Sequence, residues 1–222
     1  MSKKKYYLFE LKPVELNVVC ILLLALMFLI TIALGIPFNL TDRMFALTFA
    51  FMIPYFLLHE VLHSVSYVLN GAKFKNITYG AHLEKGVLCC LCKQNVTRRN
   101  ILCSLLFPFI IIGVITYIIG AFTDNAALMM LSIMNISGCA GDLTMFVALS
   151  KLKNFEYSEY DNPTSFGIYT SEDLSNKKFF GLKYVGTADK LDRNDLKKID
   201  INIGNAILLI AIFVIGIVLL FI

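Results

Sequence analysis

The apolar run Met44–Leu69 is broken only by His59, Glu60 and His63, in the pattern His-Glu-x-x-His. On an α-helix four residues turn about 400°, so the two imidazoles lie about 40° apart and one turn apart. That spacing lets both bind one tetrahedral zinc ion. Glu60, next to the first histidine, is placed to activate a water and carry its proton. The chain has only 3 His in 222 residues, and chance would produce this pattern roughly 0.001 times. Ionisable side chains in an apolar helix are costly unless satisfied, and usually functional. The bland alternative is that the three satisfy one another between helices.

A zinc site needs a third ligand and an open position. Asp142 is the only other Asp, Glu, Lys, Arg or His in the expected membrane spans. Both Asp142 and the His motif lie about 8–9 residues from the same end of their spans, a depth of roughly 12–14 Å. Around Asp142 the chain runs Asn135-Ile-Ser-Gly-Cys-Ala-Gly-Asp142. Gly138 and Gly141 would allow close helix approach. Asn135, Ser137 and Gly138 are candidate substrate-binding residues, the first two through hydrogen bonds to a ligand or a peptide backbone. Glu84 and His82 are weaker candidates for the third ligand. The cluster Cys89-Cys90-x-Cys92 lacks a second Cys pair and is expected to fill a strand.

These residues must be positioned by helices in a membrane. The chain is 58% apolar and 16% charged, with a mean hydropathy of +0.72. An ordinary soluble domain carries about 25% charge. The composition excludes a cytosolic globule, a disordered chain and a secreted disulfide scaffold. Five stretches are long and apolar enough to span, at about 16–36, 44–69, 100–122, 126–150 and 203–222. The first is too long for a signal peptide, and no clear cleavage site follows. The N-terminus, 71–99 and 151–202 would then share one side, and they hold 4, 6 and 9 of the 20 Lys and Arg. By the positive-inside rule that side is cytoplasmic, N-terminus included. The expected fold is an all-α membrane protein, a single polytopic domain over 1–222. A cytoplasmic β-hairpin at 73–97 and a cytoplasmic segment at 151–202 complete it. The hairpin's strands would be Phe74–Tyr79 and Val87–Cys92 around a turn at Leu83–Gly86, and Asp189–Lys198 could form a short helix.

His-Glu-x-x-His in an early span, with an Asp in a later span near Asn and Gly residues, resembles the site-2 protease group of intramembrane zinc metalloproteases. More narrowly, the chain is similar to a bacterial family of small membrane zincins. The resemblance covers about Met44–Ser150. It implies that His59, His63 and Asp142 bind Zn2+ and that Glu60 is the catalytic base of a metalloprotease. Such proteins also tend to carry a hairpin or re-entrant segment after the first motif. The chain departs from the site-2 pattern in two ways: Leu143 follows Asp142 where Gly is common, and no Pro precedes it nearby. No regulatory domain of the PDZ or CBS type is recognisable.

The expected activity is hydrolysis of a membrane-spanning protein substrate within the lipid bilayer. Nucleic acid is not an expected partner, because topology accounts for the basic residues; the oligomeric state is open. The competing class is a metal-ion or proton transporter, which would need polar residues through the whole membrane. Between Met44 and Leu58 there are only Thr48, Pro54 and Tyr55. A proteolytically inactive membrane-protein binder is a third class, and the intact Glu60 speaks against it.

Overall fold

A computed structural model describes residues 4–82, 87–159, 164–188 and 198–199. The expected span 203–222 and the turn Leu83–Gly86 lie outside the described residues. So does the helix expected at Asp189–Lys198, apart from Lys198. The all-α expectation is overturned by a five-stranded antiparallel sheet built from the segments outside the long helices.

In chain order the elements are β1 (Lys5–Leu11), α1 (Pro13–Ala33), α2 (Asp42–Leu69), β2 (Ile77–His82), β3 (Val87–Cys92) and β4 (Val96–Thr97). After them come α3 (Arg98–Pro108), a π-helical segment Phe109–Ile115, α4 (Thr116–Phe122), α5 (Ala126–Gly138) and α6 (Ala140–Ser150). The chain continues with β5 (Glu156–Glu159), β6 (Ser165–Thr170), β7 (Leu182–Ala188) and β8 (Lys198–Ile199). Among the described residues, three helical stretches, Pro13–Ala33, Asp42–Leu69 and Arg98–Phe122, are long and apolar enough to cross a membrane. Counted as one broken span, α5 with α6 makes a fourth. Along α1 the large apolar residues Val14, Ile21, Leu22, Leu29 and Ile32 are all exposed. A continuous apolar face of that kind is out of place in water and ordinary against lipid.

The chain divides into two units. The first comprises residues 1–16, 63–106 and 141–200. Its larger sheet has the strand order β4-β5-β6-β1-β7. The strand β1 sits between β6 and β7 because its sequence, Lys-Tyr-Tyr-Leu-Phe-Glu-Leu, alternates: Tyr7 and Phe9 are buried. Phe9 stacks on Phe166 at 6.0 Å between centroids and meets Phe179 edge-on at 5.7 Å. These ring contacts form the sheet's core together with the buried aliphatic residues Val96, Ile168, Leu174 and Leu182. A second sheet, β3-β2-β8, pairs Ile77 with Cys92 and His82 with Val87. Its first strand begins later than the expected Phe74, because Phe74–Asn76 forms a 3-10 turn.

In the same unit the end of α2 is tied to α3 and α3 to α6. Asn100 Nδ2 donates to the carbonyls of Tyr67 at 3.4 Å and Asn70 at 3.2 Å, which joins α3 to the end of α2, where the Tyr67 carbonyl also accepts from the Ala72 N–H at 2.9 Å. Arg98 donates to the carbonyls of Leu152 at 2.7 Å and Ser150 at 2.9 Å, which closes the C-terminus of α6. Tyr79 of β2 donates to Ser64 Oγ at 2.6 Å.

The second unit takes in residues 17–62 and 107–140. Its helix ladder changes to π register just after Pro108, a residue with no N–H to give. The Ile112 carbonyl accepts from Tyr55 Oη and from Thr116 Oγ1. Thr116 Oγ1 also lies 2.7 Å from Ser132 Oγ, which donates to the Leu128 carbonyl. Small residues let α4 and α5 meet. A Cβ at Gly120 would stand 2.8 Å from Met129 Cγ and 3.0 Å from its backbone nitrogen.

Candidate metal centre

The chemistry begins on α2, which is continuous from Asp42 to Leu69. Within it His59, Glu60 and His63 each offer a ligand atom, and these atoms lie within 4.8 Å of one another. Such proximity is the geometric minimum for sharing one ion. What decides the chemistry is which ring nitrogen each histidine offers.

In the first unit His63 is 8% exposed. Its Nδ1 lies 2.9 Å from the carbonyl oxygen of Ser104 on α3. A carbonyl can only accept, so Nδ1 carries the hydrogen. Nε2 of the same ring lies 3.4 Å from Asp142 Oδ2. In a neutral imidazole this places a lone pair opposite a carboxylate, which is repulsive unless a cation holds the two together. A proton can do so, and so can a divalent metal ion. Ser104 Oγ strengthens the arrangement by donating to the His63 carbonyl at 3.3 Å. Asp142 lies in the first turn of α6, where the helix dipole favours a negative charge. It has that position because the helix breaks at Cys139, where the chain was expected to run straight from 126 to 150.

In the second unit His59 Nδ1 lies 2.9 Å from Asn135 Oδ1. Asn135 is 1% exposed, and its Nδ2 donates to the Pro108 carbonyl at 3.4 Å. That second bond orients the amide with its oxygen toward the imidazole, so His59 donates from Nδ1 as His63 does. Both histidines therefore present Nε2 as their donor atom, each with Nδ1–H on an oxygen. This is the supporting shell that zinc-binding histidines ordinarily have. The sulfur of Cys139 lies 4.0 Å from His59 Nδ1 and 3.8 Å from Asn135 Nδ2, on the supporting side of the ring.

The residue types suit zinc: imidazole nitrogen and carboxylate oxygen are the ligands that zinc takes in catalytic sites.

The other expected residues fall as follows. Ser137 is buried and donates to the Met134 carbonyl at 2.9 Å. The glycines beside Asp142 do not serve close helix packing. A Cβ at Gly138 would meet only Phe56 Cε1, at 3.7 Å, and one at Gly141 would meet nothing within 4 Å. Glu84 lies outside the described residues. Cys90 and Cys92 are buried on β3 and form no disulfide. The Ser104 carbonyl has no signature in a sequence. Cys139 had one, since it stands between two glycines and an alanine where a helix is easily broken.

Residues 51–156 match the model of a family described as "Putative zincin peptidase". The match takes in just under half of the chain and includes His59, Glu60, His63, Asn135 and Asp142. It supports a zinc-dependent peptidase. No curated protein and no solved structure matches the chain.

Proposed function

We propose that this protein is an intramembrane zinc endopeptidase that cleaves membrane-spanning protein substrates. The observation that carries the reading is the pair of histidines in one apolar helix, both with Nδ1–H on an oxygen, one of them with Nε2 against Asp142. His59, His63 and Asp142 would hold the metal. Bound there, zinc would supply a Lewis acid that polarises the scissile carbonyl and lowers the pKa of a water.

The chain's own residues do the rest. Asn135 and the Ser104 carbonyl hold the two imidazoles in one tautomer. Asp142 balances charge at the N-terminus of α6. Glu60 follows His59 by about 100° around the helix, so it is offset from the two ligand rings and free of their role. It takes the proton of the attacking water and returns it to the leaving amine. A helical substrate must unwind there, because its carbonyls are otherwise engaged, and the open space at Gly141 leaves room for an extended backbone. The 19 of 20 basic residues on one side support a cytoplasmic N-terminus and access to the site from that side.

The test is Glu60→Gln, which keeps shape and hydrogen bonding but cannot take a proton. The variant should keep its zinc and lose about 10²–10⁴-fold in cleavage of a single-span substrate. Wild-type cleavage by the variant would end the proposal. Loss of zinc would make Glu60 a ligand instead.

A further inference from the structure

We propose that the loop Ser171–Leu182 is an interfacial membrane anchor, seated on anionic phospholipid at the Pro13 end of α1. The inference rests on reading α1 as a membrane span, and on one further observation.

The loop is fastened to the start of that helix. Lys12 N donates to the Gly181 carbonyl at 2.9 Å, and Gly181 N donates to Glu15 Oε2 at 2.6 Å. Gly181 has a φ of +73°, in the left-handed region, so the chain turns sharply there before entering β7. These two bonds fix the depth of the loop relative to the bilayer. The apolar surface of α1 begins at once: Val14, in its first turn, is 76% exposed. A residue hydrogen-bonded across that turn therefore lies where headgroups give way to acyl chains.

At that level the sequence is Lys177-Lys178-Phe179-Phe180. Phe179 faces inward, against Phe9. Phe180 is turned outward and is 66% exposed. An outward phenylalanine on a tight loop would be a liability in water, and it suits the headgroup boundary, where aromatic rings settle. Lys178 and Lys183 stand two residues before it and three after it, and both are exposed. A groove of about 430 Å³ beside the first turn of α1 is lined by Glu10, Lys12, Pro13, Val14, Glu15 and Lys183 among others. Lys177 and Lys12 are each paired with a glutamate, Glu172 at 3.0 Å and Glu15 at 2.6 Å. The exposed pair, Lys178 and Lys183, is thus what an anionic headgroup would meet.

The chain contains no tryptophan, so Phe180→Trp in the full-length protein makes a single fluorescent reporter at an exposed position. The protein is reconstituted into vesicles of phosphatidylcholine with phosphatidylglycerol. The acyl chains are brominated either near the headgroup or near the chain end. The expected result is loss of Trp emission, greater with the shallow bromines than with the deep ones. Emission untouched by either lipid, and quenched by aqueous iodide, would overturn the anchor. Ile21→Trp, two turns into α1 and exposed, is the control. Quenching at Ile21 without quenching at Phe180 refutes the anchor alone. No quenching at either refutes the membrane reading of α1. Adding Lys178→Glu and Lys183→Glu to the Phe180→Trp protein should weaken quenching in anionic vesicles and leave it unchanged in pure phosphatidylcholine. Equal quenching in both vesicle types would overturn the role of the lysines.

Discussion

Asn135→Leu removes one side chain of similar size and two hydrogen bonds, and its effects can be worked out separately. The variant leaves the Nδ1–H of His59 without its acceptor at 2.9 Å. It also leaves the Pro108 carbonyl without its 3.4 Å donor. Asn135 is 1% exposed, so water cannot easily replace either partner. Each lost hydrogen bond costs about 0.5–1.5 kcal/mol, with the long bond to Pro108 toward the lower end. That cost falls on the apoprotein. The cost to metal binding is distinct: losing the group that orients a liganding histidine typically weakens affinity about 10–100-fold. In free energy that is roughly 1.4–2.8 kcal/mol. Asn135→Asp keeps an acceptor at the same place and gives up only the donor to Pro108, so its zinc affinity should stay at or above that of the wild type. The assay is competition for zinc against a chelator of known affinity in detergent, with thermal unfolding of the metal-free proteins measured alongside. A folded Asn135→Leu protein with wild-type zinc affinity would refute the assignment of Nε2 as the donor atom of His59.

Further outcomes follow from the same geometry. His59→Ala and His63→Ala should each lose most of the zinc found in the wild type by elemental analysis, and full retention in both would remove the site. Topology reporters fused at Ser175 should read cytoplasmic and those at Asp124 external; an external reading at Ser175 would mean that the spans have been miscounted. Gly120→Ala should lower the melting temperature in detergent more than Gly113→Ala. The new methyl group at Gly120 meets the Met129 backbone, which cannot move aside, for a cost of about 1–3 kcal/mol. At Gly113 it meets Ile136 Cγ1 at 2.9 Å, a side chain that can rotate. Tyr55→Phe should lower stability by about 0.5–1.5 kcal/mol through the loss of one buried hydrogen bond, without changing the zinc content.

The parts legible in the sequence are those with a strong period or a strong cost. An apolar run of about 20 residues has one economical environment, and His59, Glu60 and His63 stand out because an apolar helix tolerates few ionisable groups. The five-stranded sheet was missed because its strands are short and far apart in sequence. Lys5–Leu11 pairs with Ser165–Thr170 and Leu182–Ala188, more than 150 residues away, and no local pattern reports a pairing of that range. The alternation in Lys-Tyr-Tyr-Leu-Phe-Glu-Leu was the available signal, hidden beside the far stronger one of α1. The break at Cys139 was lost for a related reason. Composition sees Ala126–Ser150 as one apolar run, and a change of helix direction leaves hydropathy untouched. The tautomers of the two histidines depend on a backbone carbonyl and on an amide from another helix, and neither has a sequence signature.

The hydroxyls above the histidines bear on the competing ion-path reading. Tyr55, Thr116 and Ser132 are buried and lie close together in the second unit, with Thr31 and Tyr117 2.6 Å apart elsewhere in it. Polar side chains inside a membrane can line a path for ions, but these are committed to the backbone. Tyr55 and Thr116 both donate to the Ile112 carbonyl, Ser132 donates to Leu128, and Thr31 donates to Met27. Ile112 lies within the π segment, where the shift of register disturbs the ordinary ladder, and in hydrocarbon a carbonyl must find its partner within the protein. The hydroxyls meet that demand. They also join α2, the π segment and α5, which brings Asn135, one turn beyond Ser132, to His59. Tyr55 and Thr116 are thus explained by the helix irregularity, and the effect of the Tyr55–Thr116–Ser132 cluster is to hold the supporting side of one histidine in place. Hydroxyls committed in this way favour a fixed metal centre over a conducting path.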